Sequence, residues 1–192
     1  MSGHSKWSQI KHKKGIADQK KGQLFSKLSK VISIATRRGT DPAMNPERGR
    51  EGSQRASASF GMNVELKNAI EKAKEASMPK ENIERAIKRV ADKNAAQLEE
   101  LVIEAIGPES LALIITAITD NKNRTMAEVK KILTEFNYKQ GSVMWGFTKQ
   151  GKEFVPQYPI ENLGEETKNN LDKLFERLDE NEDVQEIYDN TL

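Results

Sequence analysis

The 192-residue sequence contains no cysteine and only two histidines, His4 and His12. Without cysteine the chain has no disulfide bonds, no cysteine-ligated zinc or iron–sulfur site and no thiol nucleophile. No apolar run approaches the ~20 residues that a membrane-spanning helix needs, and the first residues lack the apolar segment of a secretory signal. We therefore expect a cytoplasmic protein with no membrane-spanning segment.

Sequence motifs of catalysis are also missing. Neither the Gly-x-x-x-x-Gly-Lys-Ser/Thr phosphate loop nor the Gly-x-Ser-x-Gly nucleophile elbow occurs. Both histidines fall in a predicted N-terminal arm, which offers no rigid scaffold for a catalytic base. As metal ligands they would need carboxylate partners, and only Asp18 is near them in sequence. We therefore expect a protein that is not an enzyme and has no metal site, cofactor or small-molecule substrate.

What the sequence does have is a strong segregation of charge. Residues 1–39 contain ten Lys or Arg and one acidic residue, whereas residues 101–192 contain ten basic and seventeen acidic residues. The basic segment also contains Trp7 and Ile10. Cations with an interleaved aromatic ring favour a polyanion, because ammonium groups neutralise phosphates and a ring can stack on a base. A solvated tail whose Trp7 packs on the core, or contact with an anionic membrane surface, stays open at this point.

The first half of the chain is predicted to be helical. Residues 1–22 have weak periodicity and form the predicted basic arm. Apolar spacing predicts a helix from about Gln23 to Arg38 with Gly39 as its cap, a second helix over Val64–Ala76, and a third whose first turn contains Pro79. These helices define a domain over residues 23–95. Its residues 46–62, rich in Gly, Ser, Ala and Arg, are predicted to be a mobile loop, and a plain linker is favoured over an RNA contact there.

The pattern changes near Gln97 to short β-branched runs. The predicted elements, in order, are strands Leu101–Ile103 and Leu111–Ile115 joined as a hairpin at Gly107-Pro108, a helix opened by a Thr125–Glu128 capping box and running to about Phe136, strands Ser142–Phe147 and Glu153–Val155, a helix over Glu165–Leu178, and a strand over Val184–Tyr188. This order predicts an α+β fold. A three-helix domain with a basic arm is followed, at residues 96–192, by an α/β sandwich domain with an antiparallel or mixed sheet and helices on one face.

A polar cluster, Asp120-Asn121-Lys122-Asn123-Arg124-Thr125, lies at the junction of a predicted strand and helix. A helix N-terminus with Asn, Lys and Arg side chains suits a phosphate group. A well-capped turn whose Arg124 pairs with an acidic residue explains the same pattern. The sequence supports both interpretations equally.

Several of these stretches together resemble a known family. Ser-Gly-His-Ser-Lys-Trp at residues 2–7, followed by the basic run Ile10–Lys14, is similar to the opening of the YebC family. Met78–Ile87 resembles its helical domain, Thr119–Thr125 its second recognisable motif, and Asp183–Asn190 its C-terminal strand. Members of that family are widely labelled probable transcriptional regulators, and it includes the mitochondrial translational activator of cytochrome oxidase subunit I.

The chain also departs from the family pattern. Family members usually carry a further small α/β domain inserted into the second domain. Here Phe147 is followed almost at once by Phe154, so we expect this inserted domain to be absent. The segment from about Glu47 to Gly61 is extra, and Gly107–Ser110 replaces a turn that is richer in glycine.

The resemblance implies a non-enzymatic nucleic-acid-binding regulator of gene expression. We expect it to bind RNA or the ribosome and to influence translation, because the sequence has no helix-turn-helix with base-reading residues and the basic arm suits folded RNA. The lack of a palindrome-reading dimer signature also favours RNA over DNA. We expect no membrane partner, and the sequence leaves the oligomeric state open, with a monomer favoured. One alternative is a DNA-binding transcriptional regulator, and another is a protein-binding module that acts through the acidic C-terminal domain.

We predict two sets of contact residues. The set in the arm and the first helix is Lys6, Trp7, Lys11, His12, Lys13, Lys14, Lys20, Lys21, Arg37 and Arg38. The set in the second domain is Asn121, Asn123 and Arg124.

Overall fold

The computed structural model describes residues 18–40, 64–92, 96–151 and 153–191. The predicted loop at 46–62 and most of the predicted arm lie outside these ranges. The chain divides into two compact units, one formed by Gly22–Leu98 and the other containing Glu99–Leu192.

The first unit contains three helices, α1 (Asp18–Thr40), α2 (Val64–Glu75) and α3 (Lys80–Lys88). Apolar residues at helical spacing bury one face of each helix in a shared core, which contains Ile32, Ala35, Leu66, Ala69, Ala73, Met78, Ile83 and Ala86. The Ser33 hydroxyl on α1 donates a hydrogen bond to the Ala86 carbonyl on α3 at 2.8 Å. The predicted helical character of this half is confirmed.

The boundaries of α1 and α3 differ from the predicted ones. Helix α1 begins at Asp18 and not at Gln23, because the exposed Gly22 does not interrupt it. It ends at Thr40 and not at Arg38, so the predicted cap Gly39 lies inside the helix. A single glycine costs a helix only about 1 kcal/mol, which the flanking turns outweigh. Pro79 is the N-cap of α3 and lies just before its first turn, where its carbonyl accepts from the Asn82 N–H at 3.0 Å.

The second unit is an antiparallel sheet with two helices and a separate hairpin. Its elements are β1 (Glu99–Ile106), β2 (Ala112–Thr119), α4 (Lys122–Glu135), β3 (Lys139–Gln140), β4 (Phe147–Gln150), β5 (Glu153–Pro156), α5 (Glu165–Asp179) and β6 (Val184–Asp189). The four-stranded sheet has the order β3-β1-β2-β6, and β4 pairs with β5 alone. The α+β class, the β1–β2 hairpin and the antiparallel sheet are confirmed.

Strand β2 is buried on both faces. Its Leu113 and Ile115 point to one face, where they pack with residues of α4 and α5 in the main core. Its Ile114 points to the other face and packs with Phe147 and Phe154 of the β4–β5 hairpin. The helices therefore cover one face of the sheet, as predicted, and the hairpin covers part of the other.

The predicted strand Ser142–Phe147 is wrong. Residues Met144–Gly146 form a 3-10 turn, and strand β4 begins only at Phe147. The cause is a carboxylate from another strand. Glu104 on β1 accepts hydrogen bonds from the Val143 N–H at 2.6 Å and the Met144 N–H at 2.8 Å. Backbone groups held in this way cannot join a strand ladder.

The β4–β5 connection is a tight hairpin. Its Gly151 has φ +65°, a left-handed conformation that glycine adopts without steric cost. Only six residues separate Phe147 from Phe154. The chain therefore passes directly from β4 to β5, and no further domain lies between these two strands.

Candidate nucleic-acid interface

The predicted contact residues of the arm lie largely outside the part of the chain that the structure describes. These are Lys6, Trp7, Lys11, His12, Lys13 and Lys14. Lys20 belongs to α1, but its side chain is outside the described set. Lys21, the next residue of α1, is exposed.

The end of α1 holds the next pair of predicted residues. Arg37 and Arg38 lie in its last turn, where positive charge interacts favourably with the helix dipole. The Arg38 Nη1 atom is 3.2 Å from the Glu65 Oε2 atom at the start of α2, and about a third of each side chain is exposed. An ion pair with this exposure contributes about 0–1 kcal/mol, so Arg38 stays available for exchange with another anion.

The polar cluster at residues 120–125 is a capped helix start. Asn121 is the N-cap of α4, and its side-chain oxygen accepts from the Arg124 N–H at 3.1 Å. The predicted capping box at Thr125–Glu128 is therefore wrong, because the helix begins one turn earlier. Asn121 is among the residues that cap helices best, since its short side chain reaches the free N–H groups of the first turn.

Arg124 is held by two carboxylates. Its Nη2 atom lies 2.9 Å from the Asp120 Oδ1 atom and 2.9 Å from the Asp183 Oδ2 atom. The hydrogen bond to Asp183 is the main cause that raises the pKa of Arg124 above its ordinary value. Of the two interpretations of the cluster, pairing of Arg124 with an acidic residue is thus observed. The Arg124 side chain is nevertheless 47% exposed.

Asp183 is the centre of a buried polar network that the sequence did not reveal. It lies just before β6 and is almost fully buried. Besides Arg124, its carboxylate accepts from the Thr125 hydroxyl at 2.6 Å. Thr125 and Thr119 are both fully buried, and their hydroxyl oxygens are 2.8 Å apart. The network joins the end of β2, the start of α4 and the segment before β6.

The remaining residues of the cluster, Lys122 and Asn123, are both exposed. Asn123 is exposed at the start of α4. Lys122 forms an ion pair with Glu99, the first residue of β1. Asn121, Lys122, Asn123 and Arg124 are all exposed, so this helix N-terminus presents several accessible polar groups.

The described residues show no centre for metal chemistry. Within residues 18–40, 64–92, 96–151 and 153–191, no group of three or more His, Cys, Asp or Glu side chains could hold a metal ion. None of the helices in these ranges is long and apolar enough to cross a membrane.

Comparison with protein families identifies the chain. Residues 5–47 and 53–93 match the model of the TACO1/YebC protein N-terminal domain, and residues 98–152 match that of the TACO1/YebC second and third domain. The matches together cover more than half of the chain. The chain belongs to the TACO1/YebC family. The interruption of the first match, at residues 48–52, falls inside the predicted loop.

TACO1/YebC relatives from several bacteria align with most of the chain. A probable transcriptional regulatory protein of Petrotoga mobilis is 39% identical over 97% of this chain and 69% of its own length. A protein of the same description from Trichlorobacter lovleyi is 44% identical over 79% of this chain and 56% of its own length. A third, from Treponema denticola, is 44% identical over 86% of this chain and 61% of its own length. The chain thus spans between about half and two thirds of the length of these curated relatives.

A solved structure supports the fold of this TACO1/YebC chain. The crystal structure of a conserved hypothetical protein from Aquifex aeolicus superposes with a TM-score of 0.77 at 28% sequence identity. The superposition covers 98% of this chain and 97% of that chain.

Proposed function

We propose that the chain is a non-enzymatic regulator of gene expression that binds RNA on the ribosome and influences translation. The observation that carries this proposal is the segregation of charge, with net +9 in residues 1–39 and net −7 in residues 101–192. A polyanion is attracted to the first segment and repelled by the second. In this proposal the lysines of the N-terminal segment contact the phosphates of the RNA.

The proposed contacts begin with the lysines of the N-terminal segment, Lys6, Lys11, Lys13, Lys14, Lys20 and Lys21. Trp7 and His12 pack or stack between them. Arg37 and Arg38 extend the basic surface at the end of α1. The Arg38–Glu65 pair does not prevent this, because a part-exposed ion pair is exchanged for a phosphate contact at little cost.

The start of α4 is proposed as a second and weaker contact, through Asn121, Asn123 and Arg124. Two carboxylates already offset the charge of Arg124. We therefore expect this contact to orient the bound RNA more than it adds to the affinity. The exposed Asn123 side chain and the exposed part of Arg124 are the groups that would bind there.

The second candidate is DNA-binding regulation of transcription. It is favoured by the relatives, which are described as probable transcriptional regulatory proteins. Basic segments bind any nucleic acid without sequence specificity, so DNA binding in vitro would not distinguish the two candidates.

Co-sedimentation with ribosomes from a cell lysate across a salt series tests the proposal. The full chain is compared with a variant that lacks residues 1–17, because α1 begins at Asp18 and this truncation leaves the helix whole. A variant with Lys130→Gln, Lys131→Gln and Lys173→Gln removes exposed cations from the second unit and serves as the charge control.

Salt-sensitive co-migration of the full chain and the control, lost in the truncated chain, supports the proposal. Retained binding to duplex DNA without ribosome co-migration under the same salt favours transcriptional regulation. Co-migration that is unchanged by the truncation contradicts the role of the basic segment. It favours a protein-binding module in the second unit, which carries the acidic excess.

A further inference from the structure

Two exposed aromatic rings lie side by side in the second unit. Trp145, in the turn before β4, is 73% exposed, and Tyr158, just after β5, is 67% exposed. Their ring centroids are 6.4 Å apart and their planes are inclined by 44°. Large aromatic side chains that lie exposed side by side often mark a binding surface, because a ligand that covers them buries their apolar area.

Hydrogen bonds fix the Trp145 ring and the backbone next to the Tyr158 ring, although neither ring is buried. The Trp145 Nε1–H donates to the Ser142 carbonyl at 3.2 Å. The turn that contains Trp145 is fixed by Glu104, which accepts from the Val143 and Met144 N–H groups. The Gln157 N–H donates to the Gly146 carbonyl at 2.8 Å, which ties the chain before Tyr158 to the chain after Trp145. A ligand would therefore meet an anchored Trp145 ring on a preformed backbone and lose less entropy in ordering the pair.

The charge around the pair indicates the class of ligand. Residues 136–152 contain three lysines and no acidic residue, although the half of the chain to which they belong has a net charge of −7. Two carboxylates adjoin this segment: Glu153 at the start of β5, and Glu104, which already accepts from the Val143 and Met144 N–H groups. Lys149 is exposed on the same hairpin, with its Nζ atom 5.8 Å from the centroid of the Phe154 ring. Exposed aromatic rings beside cations are the arrangement with which proteins bind single-stranded nucleic acid, because every base has a face that can stack.

We infer that Trp145 and Tyr158 form a stacking surface for unpaired bases of RNA, with Lys149 as a phosphate contact. This inference rests on the proposed function and adds to it a second, single-strand-specific contact outside the basic segment. The contact is made by rings and depends little on salt, whereas the contact made by the lysines of residues 1–39 depends on salt strongly.

Tryptophan fluorescence tests the inference, because the chain has only two tryptophans, Trp7 and Trp145. In the Trp7→Phe variant Trp145 is the sole tryptophan. We expect a 12-nucleotide oligo(A) RNA to quench its emission and an RNA duplex of equal length to leave it unchanged.

Binding of fluorescently labelled RNA gives the second readout. Trp145→Leu and Tyr158→Leu should each weaken oligo(A) binding roughly ten-fold and leave duplex binding unchanged. Val64→Ser, at a residue that is also 73% exposed but lies in the first unit, should change neither affinity. Thermal unfolding of each variant confirms that it is folded.

The outcomes separate this inference from the proposed function. Oligo(A) binding that depends on residues 1–17, with no quenching of Trp145 and no loss in Trp145→Leu, overturns the inference and leaves the proposed function intact. A surface that serves a protein partner gives the same unchanged affinities and also overturns it. If the full chain binds neither RNA, both proposals fail.

Discussion

Arg124 contacts two carboxylates at equal distance that differ in burial. Asp120 and Asp183 each lie 2.9 Å from its Nη2 atom, but their side chains are 37% and 6% exposed. An exposed ion pair contributes little to stability, whereas removal of one partner from a buried pair leaves polar groups without compensation. Asp183 also accepts a hydrogen bond from the buried Thr125 hydroxyl, so it holds the network together.

Replacement of these two residues should therefore have unequal effects. Asp183→Ala should lower the free energy of unfolding by about 2 kcal/mol, because it leaves the Thr125 hydroxyl without its charged acceptor. Asp120→Ala, the matched control, should lower it by less than about 0.5 kcal/mol. Urea denaturation of the two variants measures both values. Equal losses would show that Asp183 is not the centre of the network.

Glycine is required at position 107 because of the adjacent Tyr138 ring and not because of its backbone conformation. It has φ −113° and ψ −169°, which any residue can adopt. A Cβ atom at this position would lie only 2.1 Å from Cε1 of the buried Tyr138 ring. Gly107→Ala should lower the free energy of unfolding by about 2 kcal/mol through this overpacking. At Gly146 a Cβ would meet no atom within 4 Å, so Gly146→Ala should be nearly neutral. Thermal unfolding of both variants tests the contrast, and similar midpoints would refute it.

The raised pKa of the buried Tyr138 phenol should make the free energy of unfolding depend on pH in the alkaline range. Burial, and secondarily the charge of Asp189, raises the pKa of the Tyr138 phenol above the ordinary value of about 10. In the unfolded chain the phenol loses its proton near pH 10, while in the folded chain it keeps it. The protonated phenol therefore makes its full contribution to the free energy of unfolding below pH 10. Above pH 10 the free energy of unfolding falls, by up to about 1.4 kcal/mol per pH unit. In Tyr138→Phe the free energy of unfolding should fall less steeply between pH 10 and 11.5. Equal slopes in urea denaturation would contradict the assignment.

At the scale of elements, apolar patterns in the sequence predicted most of the helices and strands that pack in the two cores. Helices α1, α2 and α5 follow from apolar spacing over eight or more residues, and the β1–β2 hairpin follows from two short apolar runs on either side of Gly107-Pro108. Strand β3 was not predicted because it has only two residues, both exposed, and no apolar pattern marks it. It exists because Ala105 and Ile106 of β1 offer it a partner.

Contacts across long sequence distances explain what could not be predicted. The Ser142–Phe147 segment has the composition of a strand, but Glu104, about forty residues earlier, holds it as a turn. The start of α4 depends on Asn121, while Thr125 turns its hydroxyl to Asp183, fifty-eight residues later. The sequence could identify the polar cluster at 120–125 but not the acidic residue with which Arg124 pairs.

The turn before β4 should therefore depend on Glu104. In Glu104→Ala the Val143 and Met144 N–H groups lose their acceptor, so both amides should exchange with deuterium at least ten-fold faster than in the unchanged chain. Glu100→Ala, at an exposed glutamate of the same strand, is the control and should leave both rates unchanged. Amide exchange followed by NMR measures the effect, and protection that survives in Glu104→Ala would show that the turn is held by its own sequence.

At the scale of the whole molecule, the near-neutral net charge of +2 is the sum of a basic N-terminal segment and an acidic C-terminal half. The helical unit follows a basic segment, and the sheet unit carries the acidic excess. In the proposed function, the basic segment attracts a nucleic acid by long-range electrostatics, which salt screens within about 10 Å at 0.1 M. The stacking surface at Trp145 adds a short-range contact on the acidic unit.

The salt dependence of RNA binding tests the central claim most directly. The slope of log K against log salt concentration counts the phosphates that are neutralised, at about 0.7–0.9 per contact. The control is the variant that has Lys130→Gln, Lys131→Gln and Lys173→Gln. We predict that removal of residues 1–17, which contain Lys6, Lys11, Lys13 and Lys14, reduces the slope by about three units and weakens binding strongly, while the control keeps the slope of the full chain. An unchanged slope after removal of residues 1–17 would contradict the account.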